Sequence, residues 1–319
     1  MTHILEYLEQ SARQFPDKPA LVDESQTVTF SQALDASRRI GSSLSLSLAK
    51  GQPVAVYMEK SVANLCAFWG IVYAGGFYVS FNTQLPTSRL KQMQSVLQAP
   101  FVITDEVHRA GLEEIFPSHR ILLYDDLVRS SIHHAQLSQI RSHHVDTDPL
   151  YANFTSGSTG VPKAVVVGHR STLDFIHHFC PLFSITHEDV IANQAPFDFD
   201  VSVKDIYSAL ATGATLVLVP RPLFSQPQQL LDFLCEHRAT TLIWAVSALC
   251  LITTVHGLDY RVPETVNKVL FSGEVMPAKH LKTWMEHLPQ AQFVNLYGPT
   301  EITCNCTYHI IDRTRSYPD

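Results

Sequence analysis

"YANFTSGSTGVPKAVVVGH" occupies residues 151–169. Thr155, Ser156, Gly157, Ser158, Thr159 and Gly160 form an unbroken hydroxyl and glycine run between two apolar stretches, with Pro162 and Lys163 just behind it. The chain has only 13 glycines, so their placement here is selective. Glycine lets successive backbone N–H groups turn inward on an anion, and hydroxyls add further donors. Lys163 contributes a point charge. The composition therefore fits a loop that cradles phosphate. It lacks the GxxxxGK[ST] spacing of the Walker loop. A flexible Ser/Gly linker is a poor alternative, because linkers do not sit between strand-like apolar runs.

Working outward, the 319 residues are enough for two α/β subdomains. Apolar residues make up 45% and charged residues 17%, as in an ordinary globular enzyme. A formal charge of −7 leaves no electrostatic footprint for nucleic acid or an anionic membrane. The six cysteines are not a disulfide framework in a chain this long, and Cys304-Asn305-Cys306 has the wrong spacing for a zinc knuckle. The N-terminus carries acidic residues and no apolar core of a signal peptide. No window approaches the roughly 18 apolar residues of a spanning helix. A cytoplasmic enzyme is expected.

Ile4, Leu5, Leu8 and Ala12 recur at helical spacing and predict a first helix. "PALV" and "QTVTF" read as short strands, followed by a helix capped by Ser31. "PVAVYM", "FVITD", "ILLYDD" and "LVLVP" read as buried strands, and "SVANLCAFWGIVYAGG" as a helix closed by Gly75 and Gly76. Apolar runs alternating with helix-length segments predict βα units and mostly parallel sheets flanked by helices. The His- and Gln-rich residues 130–149 break the rhythm and read as a solvated linker. Its His133-His134 and His143-His144 pairs point apart on any regular element, so they are not read as a metal site. The expected subdomains are 1–149 and 150–319.

The glycine-rich stretch closely resembles the phosphate-loop signature of the adenylate-forming superfamily of acyl-CoA synthetases, luciferases and nonribosomal-peptide adenylation domains. Four more stretches resemble that family's motifs in the right order. They are "VTFSQALDASRRIGSSL", "GIVYAGGFYVSFNTQLPTSRL", "FDFDVS" (its FDxS) and "NLYGPTE" (its NxYGPTE). Phe154, Ala164 and the 79–82 stretch depart from the usual letters. The family's later motifs and mobile C-terminal domain have no counterpart, so the chain reads as the N-terminal portion of such a domain.

The resemblance implies ATP and Mg²⁺ as cofactors, with a carboxylic acid converted to an acyl-adenylate and pyrophosphate. It places residues 155–160, Lys163 and Thr300 on the phosphates, and Glu301 on Mg²⁺. Tyr297 is implied under the adenine and Asn295 on its amine, with Gly298 in the same motif. Gly273, Glu274 and Val275 are implied along the ribose edge. Phe199 and Asp200 match the FDxS motif, whose aspartate meets a substrate amine in the peptide-synthesis branch. Motif spacing adds Val201, Lys204, Trp244, Leu270, Ser272, Leu296, Cys304 and Asn305 to the acyl pocket. The expected substrate is an amino-bearing acid: alanine, proline, a β-amino acid or an anthranilate-type arylamine. The expected partner is an acyl or peptidyl carrier protein, as for the D-alanine ligase branch. An acyl-CoA or aryl-acid ligase, or a nucleotide-binding module without turnover, are the alternatives.

Overall fold

The computed structural model describes residues 1–155, 162–315 and 317. Two sheets carry the fold. In chain order their strands are β1 (Pro19–Val22), β2 (Thr27–Thr29), β3 (Pro53–Tyr57), β4 (Phe77–Ser80), β5 (Phe101–Thr104), β6 (Ile121–Leu123) and β7 (Pro149–Thr155). There follow β8 (Lys163–Gly168), β9 (Val190–Asn193), β10 (Thr215–Leu218), β11 (Thr241–Ala245), β12 (Lys268–Ser272), β13 (Gln292–Tyr297) and β14 (Thr307–Ile310). The larger sheet has the order β14-β13-β12-β11-β9-β10-β1-β2, and the smaller β6-β5-β3-β4-β7-β8. Both are parallel internally. Antiparallel strands close the larger sheet at β14 and β2, and the smaller at β8.

Parallel strands covered by helices on both faces need apolar side chains on both. Alternation then sorts them. Ile191, Ile243, Leu270 and Val294 face one apolar cluster, together with Ile206 and Leu210 of the Ser202–Thr212 helix. Leu242, Trp244, Val269, Phe271 and Phe293 face the other, with Leu230, Leu249 and Trp284. The first cluster also takes in Val54, Val56 and Ile103 of the smaller sheet, so one central core is shared by both sheets. Helices Phe30–Leu44 and Val62–Tyr73 cross closely inside it. A Cβ on Gly41 would lie 2.5 Å from Tyr73 Cβ, and one on Gly70 2.4 Å from Ile40 Cγ2.

Several sequence expectations change. The division at 149/150 does not separate the sheets. β1 and β2 join the larger sheet through β10, whereas β7 and β8 complete the smaller one. Non-local pairing decides this, and local pattern cannot carry it. The helix expected to be capped by Ser31 is capped two residues earlier, by Thr29 in a Thr29–Gln32 capping box. The expected linker contains a helix, His134–Ser142, tied down by His133 N–H to Ser42 Oγ at 2.9 Å and by Lys50 Nζ to the His143 carbonyl at 2.6 Å. Among the described residues no helix is long and apolar enough to cross a membrane.

Candidate active site

The loops that leave the C-terminal ends of β9, β12 and β13 meet at one rim of the larger sheet, where open α/β sheets bind ligands. The β7–β8 hairpin of the smaller sheet reaches the same place. Its strand β8 packs beside the Thr300–Ile302 turn, and Thr155 pairs with the exposed Lys163 across it. Ser156, Gly157, Ser158, Thr159 and Gly160 lie outside the described residues.

Asp200 stands just ahead of the Ser202–Thr212 helix, and its backbone is held from both sides. Its N–H donates to the Asn153 amide oxygen of β7 at 2.8 Å. Its carbonyl accepts from Cys304 Sγ at 2.9 Å. Ser202 Oγ donates to the Phe199 carbonyl at 2.8 Å and closes the turn. Burial pushes the Asp200 carboxyl above the usual carboxylate range, with a hydrogen bond from Thr300 and the charge of Lys204 opposing it. No cation lies within 4.0 Å of it among the described residues.

Lys204 lies in the first turn of that helix, four residues further along the chain. It is fully buried, and Nζ donates to Asn305 Oδ1 at 2.7 Å. Burial lowers its pKa, while Cys304, Asp205 and Asp200 act to raise it. The neighbouring Asp205 turns elsewhere: its Oδ2 accepts from Asn193 Nδ2 at 2.6 Å. Lys60, brought down to about 8 by burial, holds the Asn193 side chain from behind at 3.2 Å. Asp205 itself is pushed up to about 7, again by burial.

The turn after β13 is tightly wound. A Cβ on Gly298 would fall 2.5 Å from Asn305 Cα, and Cys306 N–H donates back to the Tyr297 carbonyl at 2.9 Å. Thr303 and Cys304 both sit in the left-handed region, with φ of 65° and 70°. This winding delivers Cys304 to Asp200 and Asn305 to Lys204. Tyr297 leaves β13 with 69% of its surface exposed, and Val275 beyond the φ +100° turn at Gly273 is 90% exposed. One aromatic ring and one aliphatic side chain thus face solvent at the rim. Glu274 and Glu301 are exposed beside them, and Asn295 is half-buried on β13.

Leu270, Leu296 and Cys304 belong to the central cluster, Ser272 shares the Leu270 face of β12, and Val201 is half-buried at the N-cap of the helix that carries Lys204. Trp244 is not brought to them. Its ring packs edge-on against Phe224 at 5.4 Å in the outer cluster, and Nε1 donates to the Ala192 carbonyl at 2.8 Å. Its strand neighbours Ile243 and Ala245 point to the other face. Asn153 and Asp205 were missed by sequence reading. For Asp205 a signal existed: an adjacent Lys-Asp pair inside the otherwise apolar run "VSVKDIYSAL". Asp198 lies on the turn ahead of Asp200 and accepts from Asn82 Nδ2 at 3.2 Å.

A carboxylate ahead of a helix, an exposed aromatic and a hairpin carrying Thr155 and Lys163 thus meet at parallel strand ends. The chain belongs to the AMP-binding enzyme family, which matches it over residues 8–319. It is 30% identical over 325 residues to an L-proline–[L-prolyl-carrier protein] ligase of Pseudomonas fluorescens, covering 98% of this chain and 64% of that protein. It is also 30% identical to a D-alanine–D-alanyl carrier protein ligase of Staphylococcus aureus, covering 100% of this chain and 64% of that protein. The chain thus spans 64% of the length of these relatives. Among solved structures it is similar to the nonribosomal peptide synthetase FmoA3, with TM-score 0.88, 27% identity, and 98% of this chain and 33% of that one covered. The fold also matches the Klebsiella oxytoca NpsA N-terminal subdomain solved with 3-hydroxyanthranilyl-AMSN, at TM-score 0.80 and 21% identity over 98% of this chain and 76% of that one.

Proposed function

We propose that this chain binds ATP and an amino-bearing carboxylic acid for acyl-adenylate formation, with a carrier protein as the acceptor. The observation that carries the reading is Asp200: a half-buried carboxylate, fixed by its backbone at the rim, with no cation in ion-pair reach. This half-buried carboxylate meets the Thr300 hydroxyl and the Val201 N–H but no opposite charge in ion-pair reach, and a substrate amine supplies one through a charge-assisted hydrogen bond. A fatty or plain aryl acid supplies none.

In the reaction one oxygen of the acid attacks the α-phosphorus of ATP, and pyrophosphate leaves. The nucleophile is already anionic, so no strong base is required. The chain's work is to hold two anions in line and to offset charge growing on the phosphates. Lys163, Thr155 and the 156–160 loop serve the pyrophosphate end. Thr300 meets Asp200 in this structure, and its phosphate role requires the hydroxyl to turn toward the hairpin. Tyr297 offers the adenine a ring face, and Asn295 a hydrogen bond. Glu301 is an exposed carboxylate with no ion pair among the described residues, and so fits a hard cation. Bound Mg²⁺ there supplies charge neutralisation on phosphate oxygens.

A second reading follows from the inward Lys204. Its charge beside Asp200 disfavours a full ammonium and suits a weakly basic arylamine, neutral near physiological pH. Both readings share one test. Sulfamoyl-adenosine mimics of an acyl-adenylate, with and without the amino group, are titrated calorimetrically into the chain. The amino form is expected to bind about tenfold tighter, and Asp200→Asn to erase the difference. Equal binding of the desamino form by the wild type rules out amine recognition.

A further inference from the structure

Three side chains from the smaller sheet reach across to residues 193–200 of the larger one. Lys60, just after β3, donates to the Asn193 and Gln194 carbonyls at 3.1 and 3.3 Å. Asn82, just after β4, donates to the Asp198 carboxylate at 3.2 Å. Asn153, within β7, accepts from the Asp200 N–H at 2.8 Å and donates to the Ala152 carbonyl at 3.1 Å. Of the three, Asn153 alone meets Asp200. On β7, Ala152 and Phe154 pack into the smaller sheet's outer cluster, so Tyr151, Asn153 and Thr155 share the opposite face. Asn153 is 5% exposed there, next to Tyr151 of the central core. An amide at such a strand position is costly unless both its ends are paired, where an aliphatic residue would cost nothing. The Asp200 N–H is in the same position: among the described residues no backbone carbonyl accepts from it. Each group answers the other's demand. Two residues beyond Asn153, β7 reaches Thr155 and the hairpin.

We infer that Asn153 is a positioning residue for amine recognition: its amide oxygen fixes the peptide plane of Asp200, and β7 ties that plane to the hairpin that faces the phosphates. The inference rests on the amine reading of Asp200 and adds the residue that aims it. A charge-assisted hydrogen bond weakens steeply once donor and acceptor fall out of line, so the carboxylate must be held in direction as well as in place. Cys304 Sγ and the Val203 N–H hold the Asp200 carbonyl, at 2.9 and 3.0 Å, and Asn153 holds the N–H at the other end of the residue. With both ends pinned, the residue cannot pivot away from the rim. Asn153 touches no reacting group in this arrangement. Its removal acts through Asp200 and costs preference for the amine rather than hold on the adenylate.

The test titrates sulfamoyl-adenosine mimics into this chain in amino and desamino pairs, alanyl with propionyl and anthranilyl with benzoyl. In Asn153→Leu, which keeps the volume and removes the acceptor, the amino preference of the better pair is expected to fall from about tenfold to about threefold or less, with desamino binding lowered less than about twofold. Adding Asn153→Leu to Asp200→Asn is expected to change amino-mimic binding by less than about twofold, because the two act through one group. Equal losses for the amino and desamino forms in Asn153→Leu show a merely structural role and overturn the inference. A measurement on the wild type stands beside the variant. The Asp200 amide, read by hydrogen exchange in a chain labelled with ¹⁵N-aspartate, is expected to be protected. Free exchange there overturns the inference even where Asn153→Leu fails to fold. Equal binding of amino and desamino forms by the wild type, with that amide protected, is the distinct failure of the Asp200 reading, and the inference falls with it.

Discussion

Gly298 shows how one residue sets the site. The turn it allows folds Asn305 back onto it, and any Cβ meets backbone atoms that cannot swing aside. Gly298→Ala is therefore expected to destabilise the chain by about 1–3 kcal/mol in urea unfolding and to weaken adenylate-mimic binding, since Cys304 and Asn305 move with the turn. Unchanged stability and binding would show that the turn relaxes freely. At this scale much was legible in the letters. The FDxS and NxYGPTE stretches located Asp200, Tyr297 and Glu301 at one rim, and "NLYGPTE" contains the required glycine. Trp244 was not legible from spacing alone. One residue along a strand reverses the face, and only the neighbours of Ile243 in space show which face belongs to the site. The Asn153 contact with Asp200 was equally out of reach, because it joins two different sheets.

Among elements, the first helix is the one most dependent on distant partners. Leu5–Gln14 has no side-chain hydrogen bond from its N-cap Ile4. Imidazoles take the orphan donors instead: Ile4 N–H reaches His169 Nδ1 at 3.1 Å, and Leu5 N–H reaches His3 Nδ1 at 3.2 Å. Both rings must be neutral to accept. Burial, then the charge of His144, pulls His169 down to about 3 from the ordinary 6.5, and burial with His169 holds His3 well below its usual value. The unfolded chain therefore binds protons that the folded one refuses. Stability is full above about 6.5 and is lost as pH falls from there toward about 3, by about 1.4 kcal/mol per pH unit for each titrating ring. Melting temperatures between pH 7.5 and 5 test this, and His169→Asn, which keeps an acceptor without the titration, is expected to flatten the slope. The crossing of Phe30–Leu44 and Val62–Tyr73 gives another test. Gly70→Ala drives a methyl into Ile40 and is expected to cost about 1–3 kcal/mol, read as a lower urea midpoint. Helix and strand types were readable from periodicity here, whereas the helix at His134–Ser142 was hidden by a polar composition that its packing partners compensate.

For the whole molecule, the shared central core matters more than the count of sheets. Side chains from β3, β5, β9, β11 and β12 meet in one cluster, which ties together the outer clusters that each sheet carries on its other face. Unfolding is accordingly expected to be a single transition. Tryptophan fluorescence, which reports Trp244 and Trp284 in the outer cluster and Trp69 in the central one, is expected to coincide with far-ultraviolet dichroism in urea. Separated midpoints would mean that the clusters melt independently. The larger sheet is also closed by pieces from opposite ends of the chain: β1 and β2 lie beside β10, and β14 lies at the far edge. During synthesis the first two strands leave the ribosome nearly two hundred residues ahead of their partner, since Leu21 pairs with Leu216. They wait as an exposed hairpin while the smaller sheet is made between them and the strand they need. The growing chain thus has a long vulnerable interval, in which an open edge invites pairing with a neighbour on the same message. Slow elongation through residues 30–215 prolongs that interval, and a holding chaperone is most useful within it.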